Sequence, residues 1–408
     1  RAGDITPRRF QLTPSPPERL VPNLQTSSRL RPFGISIFSE MTALATHHKA
    51  INLSQGFPDF EGPDVVRQAA IDALSGGANQ YARSMGRPEL VAAIAGHVER
   101  HRGVTLDAST QVVVTSGCTE ALMAMALGIL EPGDEVLCFE PFYDAYPVVC
   151  AAAGATLVPI TLRFPALAVD LDAVRAAIGP RTRMMLINTP HNPSGKVFSR
   201  AELTALAQIA IDNDLIVVTD EVYEHLVYGV EHVCMATLPG MAARTLVLSS
   251  AGKTFSFTGW KVGWGWGPPS LVAAVQAAHQ YLTFCAATPL QLGVAHALTA
   301  LPDSFYSDLA TMYQGKRDFL VDVLQRAGFT VGVPDGTYFV VADFTALFDG
   351  DDRDFCRWLT REHGVAAIPP SVFYSADPDE GRHLVRFAFC KTEATLQAAA
   401  ERLLKIAR

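Results

Sequence analysis

A lysine closing a small-residue loop, an aspartate closing an aliphatic run and an asparagine between prolines have the most chemistry to offer here. Lys253 ends Ser249-Ser250-Ala251-Gly252-Lys253. Desolvation lowers a lysine's proton affinity and makes its amine a Schiff-base nucleophile; left in water, it is only a surface charge. Asp220 ends the run at 215–219. A carboxylate there either caps the next turn or holds a proton on a ring nitrogen. Asn192 sits among Pro190, Pro193 and Gly195, which by themselves favour a rigid turn. Ser116-Gly117-Cys118-Thr119 follows another apolar run and opens a helical stretch at 120–130. Free N–H groups at such an end attract an anion, although simple capping would use the same residues. Tyr143 and Tyr223 add an aromatic plane and a phenol. Few reactions need an anion cup, an aromatic plane, an amide, an acid, a phenol and a lysine together.

These residues share a position relative to the elements that must carry them. Runs rich in aliphatic residues recur at 112–115, 135–140, 155–160, 184–188, 215–220, 245–250 and 262–266. Helical stretches separate most of them. One is marked by Ser199 and Glu202, the spacing of a capping box. Strands apolar on both faces and alternating with helices predict an α/β fold with a mainly parallel sheet, covered on both sides. In such sheets ligands gather at the carboxyl ends of the strands, where every residue named above falls. Further short strands are expected at 338–342 and 383–389.

Competing motifs fail on spacing. Around Cys118, Ser116 and Glu120 stand where a nucleophile elbow needs glycines. Gly252-Lys253-Thr254 ends like a Walker A loop, but Val247 occupies the position of its first glycine. His97 and His101 are four apart, as metal ligands on one helix face would be. No third ligand is evident, and a solvated helix face is the reading adopted. No metal is expected.

Composition narrows the class. The chain has 408 residues, 49% hydrophobic and 18% charged, which supports a large core and rules out wholesale disorder. A net charge of −8 argues against a nucleic-acid binder. No apolar run approaches the ~18 residues of a membrane span. Seven scattered cysteines without a CxxC read as reduced thiols in a reducing compartment, hence a cytoplasmic location.

Taken jointly, three segments and one arginine are distinctive. They are Asn188-Thr-Pro-His-Asn192-Pro-Ser-Gly195, Asp220-Glu-Val-Tyr223, and Ser250-Ala-Gly-Lys253 continuing through Gly259-Trp-Lys261-Val-Gly263, with Arg386 beyond. In order and spacing they resemble the class I/II aminotransferases, pyridoxal-phosphate (PLP) enzymes of fold type I. The opening Asn52-Leu-Ser-Gln-Gly56-Phe-Pro-Asp-Phe resembles most the subgroup of kynurenine, glutamine and methionine aminotransferases. N-succinyldiaminopimelate aminotransferases share much of the same wording.

Pro7, Pro14, Pro16, Pro17 and Pro22 make 1–28 a flexible proline-rich extension, with a targeting segment as the alternative. The resemblance implies a homodimer with an N-terminal arm and part of the small domain at 29–67. A large PLP domain would follow at 68–300 and a small domain at 301–408. It implies that Lys253 forms the Schiff base with the cofactor and shuttles the proton. Asp220 would pair with the ring nitrogen, Asn192 and Tyr223 with the phenolic oxygen, and Tyr143 would cover the ring. Gly117, Cys118, Thr119, Ser250 and Lys261 would gather the phosphate, joined by Tyr81 of the neighbouring subunit. Arg386 would clamp the substrate carboxylate beside Gly56 and Asn192. Phe38, Phe339 and the neighbouring subunit's Phe284 would line the side-chain pocket. The resemblance implies ping-pong transfer of an amino group to a 2-oxo acid, and an apolar aromatic pocket suits methionine, glutamine, phenylalanine or kynurenine-type donors. No second arginine is dedicated to a distal carboxylate, although Arg83 and Arg87 leave succinyldiaminopimelate open. β-Elimination on cysteine S-conjugates is the third possibility.

Overall fold

The computed structural model describes residues 26–34 and 36–406. The extension expected at 1–28 lies outside the described residues except for 26–28. The chain begins with α1 (Ile37–His48), β1 (Ile51–Asn52), α2 (Asp64–Ser75) and α3 (Pro88–Arg102). It continues with β2 (Val112–Thr115), α4 (Cys118–Ile129), β3 (Glu135–Glu140), α5 (Ala145–Ala153), β4 (Thr156–Thr161) and α6 (Leu171–Ala176). Next come β5 (Thr182–Asn188), α7 (Arg200–Asp212), β6 (Ile216–Asp220), β7 (Thr245–Ser250), α8 (Ala251–Thr254) and β8 (Gly263–Trp266). The last part holds α9 (Pro269–Leu282), α10 (Thr288–Ala300), α11 (Asp303–Arg326), β9 (Thr330–Gly332), β10 (Phe339–Asp343), α12 (Asp352–Glu362), β11 (Val365–Ala366), β12 (Leu384–Ala388) and α13 (Glu393–Leu403).

Strands β2 to β8 form one seven-stranded sheet in the order β2-β8-β7-β6-β5-β3-β4. Only β8 runs antiparallel to its neighbours. Every residue of β2, β7 and β8 is buried, as a sheet covered on both faces requires. The capping box at Ser199 and Glu202 starts α7 as expected. Helix α4 begins at Cys118, two residues earlier than the pattern suggested, because Gly117 at φ +80° supplies the turn out of β2. Glycine at 263 permits a second close approach. A Cβ there would stand 2.5 Å from the carbonyl carbon of Gly117, so β8 can lie directly against the first turn of α4.

The three-stranded sheet β12-β10-β9 is antiparallel. Strand β1 pairs in parallel with β11, joining residues 51–52 to 365–366. The segment after β1 also meets β12, through Ala388 N–H donating to Leu53 O at 2.8 Å. Ser54, two residues before Gly56, is thereby carried alongside Arg386.

Candidate active site

The carboxyl ends of β2, β3, β6 and β7 deliver chemistry-bearing residues to one cavity, while Asn192, after β5, meets Arg386 next to it. A cavity of about 250 Å³ is lined by Gly117, Cys118 and Thr119, by Asp220 and Tyr223, and by Ser250, Lys253 and Lys261. Tyr143 and Gly56 complete its wall. At the end near α4, free N–H groups of a twelve-residue helix face inward. Lys261 leans over that terminus: a Cβ on Gly117 would lie 3.2 Å from its Nζ. A helix N-terminus plus an ammonium is an anion cup.

Lys253 is half-buried in the cavity wall. Burial pushes its amine below the ordinary lysine range, and the positive charges of Lys261 and Arg386 act in the same direction. The aromatic faces of Tyr223 and Tyr338 flank its Nζ at 5.6 and 5.7 Å. Asp220 is 4% exposed, and burial raises its proton affinity. Its Oδ2 accepts from Tyr146 Oη at 2.8 Å; its Oδ1 takes Val222 N–H at 3.3 Å and Cys118 Sγ at 3.7 Å. Tyr223 is also buried, and its phenol is held in the neutral form.

Beyond the cavity lies Arg386, 1% exposed. Its Nη1 donates to Asn192 Oδ1 at 3.2 Å and its Nη2 to Ser54 O at 2.9 Å. Its Nε has no partner. Phe339, Phe38 and Phe373 surround the guanidinium, with ring centroids 4.1, 5.3 and 5.4 Å from its central carbon. Burial pushes its pKa down to about 10. A buried cation with an unpartnered donor is a site for an anionic ligand. Asn192 is itself held by its backbone N–H donating to Asn188 Oδ1 at 2.6 Å. Gly56 packs against Phe339 and Tyr338: a Cβ there would strike the Phe339 ring at 2.6 Å, and Gly56 O accepts from Tyr338 Oη.

Two expected residues stand apart in the single chain. Tyr81 is 85% exposed and Phe284 46%, with their rings in edge-to-face contact at 5.4 Å. Neither lines the cavity of its own chain. Arg87 is paired with Glu89 at 2.6 Å, and Arg83 is bonded to Gly86 O.

Sequence reasoning missed Tyr146, Ser54 and Phe373, and it misread His97. That histidine does not face solvent; it is 5% exposed and its Nε2 lies 3.0 Å from His225 Nε2. Burial holds its pKa near 3, so the ring is neutral. The signal was present: Leu90, Ile94, His97 and Val98 form one buried helical stripe. By atom type, His97, His225 and Glu224 would suit a cation. Glu224, however, is already paired with Arg102 at 2.6 Å and accepts from Ser249 Oγ at 2.8 Å. The cluster anchors the loop after β6 to the end of β7.

A mainly parallel seven-stranded sheet with this set of residues at its strand ends is that of the fold type I PLP enzymes. Residues 48–403 match the aminotransferase class I and II family. The chain belongs to that family and is a PLP-dependent aminotransferase. It is 48% identical to the structure of N-succinyldiaminopimelate aminotransferase from Mycobacterium tuberculosis, covering 94% of this chain and 100% of that one, with a TM-score of 0.91. It is 43% identical over 380 residues to the methionine aminotransferase of Escherichia coli, covering 93% and 98% of the two chains. A kynurenine–oxoglutarate transaminase of Dictyostelium discoideum is 40% identical over 423 residues, with 94% and 96% covered. No helix among the described residues is long and apolar enough to cross a membrane.

Proposed function

We propose that this aminotransferase takes its amino group from apolar, aromatic or sulfur-containing amino acids and passes it to a 2-oxo acid in a ping-pong cycle. The observation that carries this reading is the enclosure of Arg386 by three phenylalanine rings. It offers a two-pronged donor to an α-carboxylate and apolar surface to the side chain beyond.

The cavity fits PLP by its donor set: an anion cup for the phosphate, a buried carboxylate for the ring nitrogen, an amine for the aldehyde and a tyrosine for the ring face. Bound there, PLP supplies an aldehyde and an electron-withdrawing ring. The chain's own residues do the rest. Gly117, Cys118, Thr119, Ser250 and Lys261 hold the phosphate. Asp220 keeps a proton on the ring nitrogen by opposing it with negative charge. Asn192 and Tyr223 would donate to the phenolic oxygen, and Tyr143 would cover the ring. Arg386 binds the substrate carboxylate and so aims its Cα–H at Lys253. Lys253 removes that proton, for which an amine of lowered proton affinity is suited. Tyr81 and Phe284 stand exposed because, in this reading, they complete the site of a second subunit in a homodimer.

Lowered proton affinity at Lys253 has a measurable consequence. Only the neutral amine attacks an aldehyde. The rate at which cofactor-free protein acquires the visible PLP band is expected to rise with pH, with a midpoint below that of an ordinary lysine. Stopped-flow absorbance from pH 6 to 10.5 checks this; a midpoint at or above the free-lysine value of ~10.4 contradicts it.

Half-reactions test the substrate assignment. Loss of the visible band is expected with methionine, glutamine, phenylalanine and kynurenine, each without added oxo acid. The identity to the M. tuberculosis enzyme favours a second reading, transfer from N-succinyldiaminopimelate, in which Arg83 or Arg87 meets the distal carboxylate. Conversion by that substrate alone would establish it. Pyruvate released from cysteine S-conjugates without an acceptor would instead mark β-elimination.

A further inference from the structure

Behind the carboxylate assigned to the ring nitrogen stands a phenol with no place in the mechanism so far. Tyr146, on α5, is 1% exposed and packed in the main apolar core. Its hydroxyl donates to Asp220 Oδ2 at 2.8 Å. Its ring meets that of Tyr143 edge-on, with centroids 5.7 Å apart and planes at 87°. From the first turn of α4, Cys118 Sγ approaches the other carboxylate oxygen at 3.7 Å. A buried carboxylate reverts to the neutral acid unless donors stabilise its charge. We propose that Tyr146, supported by Cys118, is a positioning residue that keeps Asp220 ionised and turned toward the cofactor nitrogen. This rests on the functional reading above.

The other groups facing Asp220 leave this role to Tyr146. Lys253 from α8 favours the charged carboxylate but is committed to the aldehyde. Cys138 of β3 and Tyr223 of the loop after β6 are held neutral by burial. Without the Tyr146 hydroxyl, Asp220 becomes the stronger base. The shared proton then moves from the ring nitrogen toward the carboxylate. A bound cofactor would then carry less positive charge on its ring, and the group responsible for the visible band would keep its proton to higher pH. A phenylalanine fills the same space, so the substitution removes the donor and little else.

The test is a pH titration of the visible band in the PLP-loaded protein, alongside PLP affinity from tryptophan quenching. Tyr146→Phe is expected to raise the band's midpoint by about half a pH unit or more and to weaken PLP binding. Cys118→Ala is expected to move it less, in the same direction. A Tyr146→Phe midpoint unchanged or lowered overturns the proposal. If that variant does not fold, Cys118→Ala decides, and an unmoved midpoint has the same force. A parent protein with no titrating band would instead remove the functional reading, and this proposal with it.

Discussion

Lys253→Ala should abolish transamination, lowering the half-reaction rate by about four orders of magnitude, and erase the visible PLP band. The amine has no substitute nearby. Lys261 is engaged over the N-terminus of α4, where a Cβ on Gly117 would already touch it. The buried phenols Tyr223 and Tyr338 beside Lys253 hold their protons too tightly to act as bases. Borohydride reduction followed by peptide mapping supplies the independent measurement: the adduct should sit on Lys253 in the parent and vanish in the variant. Full activity without Lys253, or an adduct elsewhere, would refute the assignment.

The second large effect belongs to Arg386. Arg386→Leu should cut kcat/KM by about a thousandfold, close to 4 kcal/mol, while leaving the visible band and the PLP content intact. Arginine here acts through its fork of donors, since Asn192 and Ser54 fix its orientation and leave Nε free. Leucine suits the three phenylalanines around it, so folding should survive. Saturation kinetics would show most of the loss in KM, because the carboxylate is bound before the proton moves. Loss of PLP together with activity would place Arg386 in the cofactor site instead.

Several of these residues were legible in the sequence because they end strands. Asp220 closes β6 and Lys253 follows β7, so the alternation of apolar runs and helices was enough to bring them together. Arg386 was different. It lies in the middle of β12, where its type is unusual for an all-buried strand, and only the family resemblance singled it out. Tyr146 is a helix residue whose partner sits 74 positions away, and no local pattern marks such a contact. Ser54 contributes through its backbone carbonyl, which leaves no trace in residue type. His97 was misread because histidine counts as polar, although its neighbours on the stripe are buried.

The pairing of β1 with β11 has a consequence for how the enzyme matures. Ser54 and Arg386 are 332 residues apart, so their contact closes nearly the whole chain into one loop. All seven strands of the large sheet are complete by Trp266. On the ribosome, Asp220, Lys253 and Lys261 can therefore be translated long before Arg386. With Arg386 in its proposed role, substrate recognition is among the last properties this polypeptide acquires, and truncation near its end would remove it first.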